Sequence, residues 1–129
     1  MAHAQGRGNA VRDRVAQGNA VREFVSPSGF TVYVGKNAIG NDYVSTQLIE
    51  PTDLWFHASD CAGCHVLLKT NSSSSVKVSK QDTGFCKQLA TQFSKRKTAG
   101  CVIQARGRDV IKPPGAAAGT VGVGNTFVY

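Results

Sequence analysis

The segment that most constrains the fold is residues 53–66, an apolar and aromatic run interrupted once by turn-forming residues. Leu54–Ala58 and residues 64–69 each have the composition of a β-strand, and residues 59–63 between them favour a turn, so the segment predicts a β-hairpin. A five-residue loop places His57 opposite His65, with Trp55 projecting from the same face. A loop one residue shorter would put the two histidines on opposite faces.

Short β-rich segments and turn clusters continue on both sides of this hairpin. An opening hairpin is predicted from residues 23–25 and 30–34, and a closing one from residues 120–123 and 126–129. Residues 101–105 and 110–112 are predicted to pair with each other around a turn at 107–109.

Two helices are predicted between and beside these strands. The main helix covers residues 80–96, because Phe85, Leu89 and Phe93 recur at helical spacing. A short helix near residues 42–48 would be capped by Asn41 or Asp42. The fold class is therefore α+β, with helices on a mainly antiparallel sheet of about eight short strands.

Size and composition fit one domain: the chain has 129 residues, of which 41% are hydrophobic. A six-residue unit occurs twice within residues 8–23, and glycines interrupt any helix there, so residues 1–23 are predicted to be a flexible basic arm and 24–129 the domain.

The sequence shows no signal-peptide pattern and no apolar run of membrane-spanning length. We expect a cytoplasmic or nuclear location, no membrane partner, and cysteines present as thiols.

Positive charge is concentrated in one part of the chain. The protein has 15 lysines and arginines against 8 acidic residues, a net charge of +7, and residues 69–112 alone carry +8. A one-sided positive balance favours binding to polyanions, with nucleic acid first among them. A solvated, solubilising face is the alternative interpretation.

The histidines and cysteines of the central segment allow three chemical alternatives. Cys61, Cys64 and His65 match the C-x-x-C-H haem motif, which the lack of a signal peptide and of an internal methionine argues against. With His57 the same residues have the types that bind zinc. His57 and His65 could also act as an acid and base, whereas Cys64 points to the face opposite His65. We predict no cofactor, and zinc binding and catalysis remain alternatives.

The order of several motifs resembles that of one known family. These motifs are residues 34–37, Val-Gly-Lys-Asn, then Asn41-Asp42, residues 53–57, Asp-Leu-Trp-Phe-His, residues 63–66, Gly-Cys-His-Val, and residues 109–115 with Gly119 and Val121. Together, from about residue 25 to residue 129, they resemble the NFACT-R domain of nuclear export mediator factor and fibronectin-binding protein A type proteins. Lys36 stands where the family usually has arginine, and Cys64 stands where it usually has serine. The haem-like C-x-x-C-H spacing therefore results from the one substitution at Cys64 together with the presence of Cys61.

The resemblance implies a stand-alone RNA-binding module of ribosome-associated quality control or translation. The expected partner is transfer or ribosomal RNA, with the ribosome as a further partner, and no small-molecule ligand is expected. Trp55 and His57 are predicted to stack on unpaired bases and the cations to contact phosphates. The alternative for Trp55 is a core aromatic residue that only positions His57 and His65, which then contact the RNA. The predicted RNA-binding residues are Lys36, Asn37, Asn41, Asp53, Trp55, His57, His65, Arg106, Arg108 and Lys112. Besides catalysis and zinc binding, the remaining alternative is a module that docks on a ribosome or another protein.

Overall fold

The structure is a computed structural model that describes residues 20–58, 63–71, 75–94, 102–124 and 126–128. A five-stranded antiparallel sheet forms its centre, with strand order β1-β2-β4-β3-β5. A second antiparallel sheet has the order β6-β7-β8. In chain order the elements are β1 (Val21–Val25), β2 (Thr31–Gly35), α1 (Ala38–Tyr43), a π-helical turn (Val44–Leu48), β3 (Leu54–Ala58), β4 (His65–Leu68), α2 (Lys80–Gln92), β5 (Val102–Arg106), a 3-10 turn (Gly107–Asp109), β6 (Val110–Ile111), β7 (Val121–Val123) and β8 (Thr126–Val128). The predicted α+β class is confirmed.

Both faces of the central sheet are covered. On one face, alternate strand residues such as Val32, Val34 and Phe56 pack against Leu89 and Ala90 of α2. On the other face Tyr33, Trp55 and Leu67 pack with Val44 of the π-helical turn and Val121 of β7. The sheet is thus the middle of three layers, and its strands are buried on both sides.

The central hairpin has the register predicted for a five-residue loop, with His57 opposite His65. The opening and closing hairpins are also confirmed as β1–β2 and β7–β8. Residues 59–62 of the central loop lie outside the described residues.

The main helix is confirmed but is shorter than predicted, with Phe93 as its C-terminal cap. It begins after Ser79, whose hydroxyl accepts a hydrogen bond from the Asp82 backbone N–H, while the Asp82 carboxylate accepts from the Ser79 N–H. This reciprocal capping box satisfies two amide groups at the helix N-terminus. Residues 95 and 96, included in the prediction, lie outside the described residues.

Two local predictions are wrong in their positions or partners. The short helix begins at Ala38 rather than near residue 42, because Asn37 caps it by accepting a hydrogen bond from Gly40 N–H at 2.8 Å. Strand β5 pairs with β3, and β6 pairs with β7, so these two strands do not form a hairpin. The 3-10 turn between them separates the sheets, held by a hydrogen bond from Gly107 N–H to the Asp53 carbonyl.

Residues 21–23, predicted as the end of the arm, belong to β1, and Ala20 is buried. Residues 1–19 lie outside the described residues. Within the described part of the chain, α2 and the other helices fall short of the length and apolar character that crossing a membrane demands.

Candidate nucleic-acid interface

Trp55, His57 and His65 form one cluster of rings, here called the ring cluster. The Trp55 and His57 rings are stacked, with centroids 6.0 Å apart and planes 7° apart. His65 meets both edge-on, at 5.0 Å from Trp55 and 5.2 Å from His57. The prediction that these three side chains share a face is confirmed.

The ring cluster is buried beneath the π-helical turn and the second sheet. Trp55 and His65 are 0% exposed and His57 is 3% exposed. A base cannot stack on a ring without exposed surface, so the predicted stacking of RNA bases on Trp55 and His57 is wrong for this conformation. The rings are part of the core that supports the surface around them.

Ser45 joins Trp55 and His65 through its hydroxyl. Trp55 Nε1 donates to Ser45 Oγ at 2.8 Å, and Ser45 Oγ lies 2.8 Å from His65 Nδ1. The hydroxyl has one hydrogen and two lone pairs, so it accepts from Trp55 and either donates to Nδ1 or accepts from it, according to the tautomer of His65.

Burial keeps both imidazoles neutral. It lowers the pKa of His57 to about 4, and burial together with the neighbouring His57 lowers the pKa of His65 to about 3. Both ring nitrogens of His57 and Nε2 of His65 have no hydrogen-bond partner among the described residues. A general acid or base needs a pKa near the working pH and contact with its substrate, and this enclosed pair provides neither.

Cys64 lies on the sheet face opposite His65, as the strand alternation predicts. It packs against α2, with its Sγ 3.8 Å from the Leu89 carbonyl and 3.9 Å from the Ala90 carbonyl. Cys61, which the zinc alternative requires, lies outside the described residues. Among the described residues, no three histidine, cysteine or acidic side chains are grouped as metal ligands.

Asn41 joins α1 to the central hairpin just beside the ring cluster. Its Oδ1 accepts from His65 N–H at 2.9 Å, and its Nδ2 donates to the Gly63 carbonyl at 3.1 Å. Asn41 is buried, and both ends of its amide are occupied by these backbone contacts. Its role in the fold is to hold α1 in place against β4.

Asp53, another predicted site residue, has its carboxylate engaged within the fold. The buried Asp53 carboxylate accepts hydrogen bonds from Lys69 Nζ at 2.5 Å, from Glu50 N–H at 2.8 Å and from Thr70 N–H at 3.1 Å. Asp53 therefore organises the end of the sheet next to the 3-10 turn, and its carboxylate has almost no exposed surface for RNA.

Lys112 uses its ammonium group to hold the segment before β7 against α1. Its Nζ donates to Asp42 Oδ1 at 2.6 Å, to the Ala117 carbonyl at 2.5 Å and to the Thr120 carbonyl at 3.0 Å. Burial alone would raise the pKa of Asp42, but the hydrogen bonds from Lys112 and Gly119 lower it overall. All three donors of Lys112 are occupied, which leaves none directed to a phosphate.

Arg106 and Arg108 are exposed but lie away from Lys36. Arg106 pairs with Leu54 at the end of β3 that lies farthest from His57. Arg108 N–H donates to the Pro51 carbonyl in the same region. The predicted rings and cations therefore do not form one continuous RNA-binding surface, because Arg106 and Arg108 lie at the end of the sheet opposite to Lys36.

A cleft of about 550 Å³ opens beside Lys36, between the N-terminal end of α1 and the C-terminal end of α2. Gly35, Asn41, Gly63 and Cys64 line it, together with Asn37 and Ala38 of the α1 side, Phe93 and Ser94 of the α2 side, Arg22 of β1, and Ala118 and Gly119. Since Asn41 contacts both the cleft and His65, the ring cluster lies directly behind this surface.

The cleft contains two cations and no lining carboxylate among the described residues. Lys36 and Arg22 are both exposed, and neither has an ion-pair partner within the described part of the chain. A concave surface with cations and no acidic side chain attracts anions such as phosphate.

The sequence prediction missed Arg22 and Phe93 at this cleft. Arg22 was assigned to the arm because it lies in the second copy of the repeated unit, and Phe93 was assigned to the core face of the helix. Residues 21–25, Val-Arg-Glu-Phe-Val, do not alternate between apolar and polar side chains, so the sequence carries no periodic signal that would extend the first strand to Arg22.

The family and the relatives that this chain resembles agree with the described fold. The family model for the NFACT protein RNA binding domain matches residues 20–125. The Rqc2 homolog RqcH of Bacillus subtilis is 33% identical over 100 residues, which cover 76% of this chain and 17% of that protein. The RqcH of Streptococcus suis is 31% identical over 115 residues, covering 85% of this chain and 20% of that protein.

A solved structure has the same fold. It is the C-terminal part of the fibronectin/fibrinogen-binding protein from Streptococcus suis, with a TM-score of 0.69 and 26% identity. The match covers 84% of this chain and 43% of that structure. The chain thus spans about a fifth or less of the curated relatives that it matches.

Proposed function

The chain belongs to the family of NFACT protein RNA-binding domains, and from this premise we propose that it binds RNA through the cleft beside Lys36. The RNA is transfer or ribosomal RNA, and the process is ribosome-associated quality control or translation. The proposed process is supported by the similarity to relatives named as Rqc2 homologs. Those proteins are longer, and this chain matches only 17% and 20% of their lengths.

The observation that carries this proposal is the pair of exposed cations in a cleft whose described lining has no carboxylate. Phosphate contacts from lysine and arginine provide most of the affinity in nucleic-acid complexes that lack base recognition. Lys36 and Asn37 remain proposed direct contacts, since both are exposed at the cleft. Arg106 and Arg108 remain proposed contacts at the other end of the sheet.

The buried members of the predicted site act by positioning. Asn41 links α1 to the backbone of His65, and the ring cluster fills the space behind this link. We propose that Trp55, His57 and His65 maintain the shape of the cleft without touching RNA. Asp53 and Lys112 serve in the same way, because their charged groups hold loops around the sheet.

The experiment measures affinity for labelled transfer RNA and ribosomal RNA fragments over a range of salt concentrations. The double variant Arg22→Gln, Lys36→Gln should bind more weakly, and the slope of log K against log salt should become shallower by about 1.4 to 1.8, the sum of two phosphate contacts. Lys80→Gln is the matched control, because Lys80 is exposed at the start of α2 and lies far from the cleft.

Two outcomes would contradict the proposal. Absence of RNA binding by the unsubstituted protein at low salt would reject the function. An equal loss of affinity in the Lys80→Gln control would show that binding depends on overall charge and would reject the cleft as its location.

A further inference from the structure

The guanidinium group of Arg22 is a planar cation that packs on the Phe93 ring. Its guanidinium carbon lies 4.7 Å from the centroid of the Phe93 ring. Phe93 in turn packs against Phe24 at 6.1 Å, and Phe24 contacts Phe85 at 6.5 Å. The guanidinium therefore lies over one ring of a cluster of three phenylalanines, and the exposed side chain lies at the cleft.

A guanidinium held in this way is a stacking surface for a nucleobase. Unpaired RNA bases stack on aromatic rings and on arginine planes, and the contact depends on the flat shape as well as the charge. Because Phe93 already orders Arg22, less side-chain freedom is lost when a base arrives.

The end of the neighbouring strand β2 adds a point charge and an amide to the cleft. The backbone N–H of Lys36 donates to the Ala20 carbonyl at 2.8 Å, which fixes the residue at the end of β2 while its side chain stays exposed. Asn37 Oδ1 caps α1 at Gly40, but its Nδ2 donates to no atom of the described residues. A phosphate and the edge of a base are the nucleotide groups that match these two side chains.

We propose that the cleft holds a single unpaired nucleotide of the bound RNA, with its base stacked on Arg22, its edge beside Asn37 and a phosphate on Lys36. This inference rests on the proposed function, since it specifies which part of an RNA enters the same cleft. The volume of about 550 Å³ falls within the range of roughly 300–1,000 Å³ that small-molecule sites occupy. A fully paired duplex keeps its bases stacked inside the helix and presents only phosphates to such a cleft.

The test compares two RNA hairpins that are identical except for one unpaired nucleotide in the stem. For the unsubstituted protein we expect about fivefold or greater preference for the hairpin with the unpaired nucleotide, the effect of one stacked base. Arg22→Lys retains the charge but removes the plane, so it should bring the ratio of the two affinities close to one.

Phe93→Leu is the second variant, because it removes the ring beneath the guanidinium while retaining an apolar side chain in the core. It should also reduce the ratio, and circular dichroism of both variants verifies that the fold is intact. Lys80→Gln should leave the ratio unchanged. Free nucleoside monophosphate, added as a competitor, should displace the hairpin with the unpaired nucleotide more effectively than the paired one.

The outcomes separate this inference from the function on which it rests. Equal affinity for the two hairpins, with RNA binding retained, would overturn the nucleotide site and leave RNA binding standing. An unchanged preference in folded Arg22→Lys would also overturn it. Binding to neither hairpin would reject both the function and the inference.

Discussion

A single hydroxyl, that of Ser45, bridges two of the buried rings. It accepts a hydrogen bond from Trp55 Nε1 and lies 2.8 Å from His65 Nδ1. Protonation of His65 would place a charge in the core next to the His57 ring, where burial penalises the charged form. The ring cluster is thus compatible with the fold only while both imidazoles are neutral.

The free energy of unfolding should therefore decrease as the pH falls from about 7 to about 5. The unfolded histidines take up protons near a pKa of 6.5, whereas burial lowers the folded pKa to about 4 for His57 and about 3 for His65. The unfolded state binds more protons in this interval, so each histidine costs about 2 kcal/mol of stability at about pH 5. Urea denaturation at several pH values measures the change.

His57→Phe supplies the control for this pH dependence, because it removes one of the two buried imidazoles and keeps a ring of similar size. The decrease between about pH 7 and about pH 5 should then be close to half that of the unsubstituted protein. A free energy of unfolding that stays constant over the interval in the unsubstituted protein would show that the histidines are not enclosed as described.

At the scale of elements, close backbone contacts place the helices on the sheet. A Cβ atom on Gly35 would lie 2.1 Å from Asn41 Oδ1 and 2.6 Å from the Asn41 backbone nitrogen. Only glycine at the end of β2 allows α1 to approach closely enough for Asn41 to reach the backbone of His65. The position of the cleft wall therefore depends on a residue without a side chain.

Gly35→Ala should destabilise the protein by about 1–3 kcal/mol, because α1 must move away from β2. RNA affinity should fall as well, since Lys36 and Asn37 lie directly between these two elements. Gly84→Ala is the matched control: a Cβ at Gly84 meets nothing within 4 Å, and alanine should stabilise α2 by about 0.5–1 kcal/mol. Thermal and urea unfolding compare the two variants. Equal stability of both would contradict the described contact.

Asp82 connects α2 to the turn between β1 and β2. Its carboxylate accepts from Ser79 N–H at 2.8 Å and from Ser28 N–H at 2.9 Å. Burial alone would raise the pKa of Asp82, but these hydrogen bonds outweigh it and hold the pKa well below its usual range. The folded protein therefore depends on the ionised carboxylate at neutral pH.

Asp82→Asn should lower the free energy of unfolding by about 2 kcal/mol, because charged hydrogen bonds are replaced at a buried position. Asp109→Asn, at an exposed residue, should change it by less than about 0.5 kcal/mol. Urea denaturation near neutral pH gives both values. A loss in Asp82→Asn no greater than that in the control would show that the carboxylate does not hold the helix to the turn.

The elements that the sequence predicted well depend on residues close together in the chain. The register of the central hairpin follows from a five-residue loop, and α2 follows from the helical spacing of its apolar residues. The partner of β5 could not be read in this way, because it pairs with β3 across more than 40 intervening residues. Its apolar pattern is equally compatible with pairing to the segment that follows.

The error about the ring cluster has a similar origin. Local alternation places Trp55, His57 and His65 on one face, and this was correct. Whether that face is open depends on the π-helical turn and the second sheet, whose approach is decided by tertiary contacts. Arg22 was missed because the repeated unit suggested an arm, although its second copy runs into β1.

For the whole molecule, the separation of the exposed cations defines how large an RNA surface it can contact. Arg22 lies on β1 and Arg106 on β5, the two edges of the central sheet. Four strand spacings of about 4.8 Å place these edges about 19 Å apart. One phosphate cannot reach both, so binding at the two edges requires an RNA that extends across the domain.

The double variant Arg106→Gln, Arg108→Gln tests whether the second edge takes part. If both edges bind one RNA, this variant should make the salt slope shallower by about 1.4 to 1.8, and its effect should add to that of Arg22→Gln, Lys36→Gln. The preference for an unpaired nucleotide should not change, because these arginines lie far from the cleft. Shortening the RNA until it spans only one edge should abolish the effect of the Arg106 and Arg108 substitutions. A slope that these substitutions leave unchanged on long RNA would mean that RNA contacts the cleft edge alone.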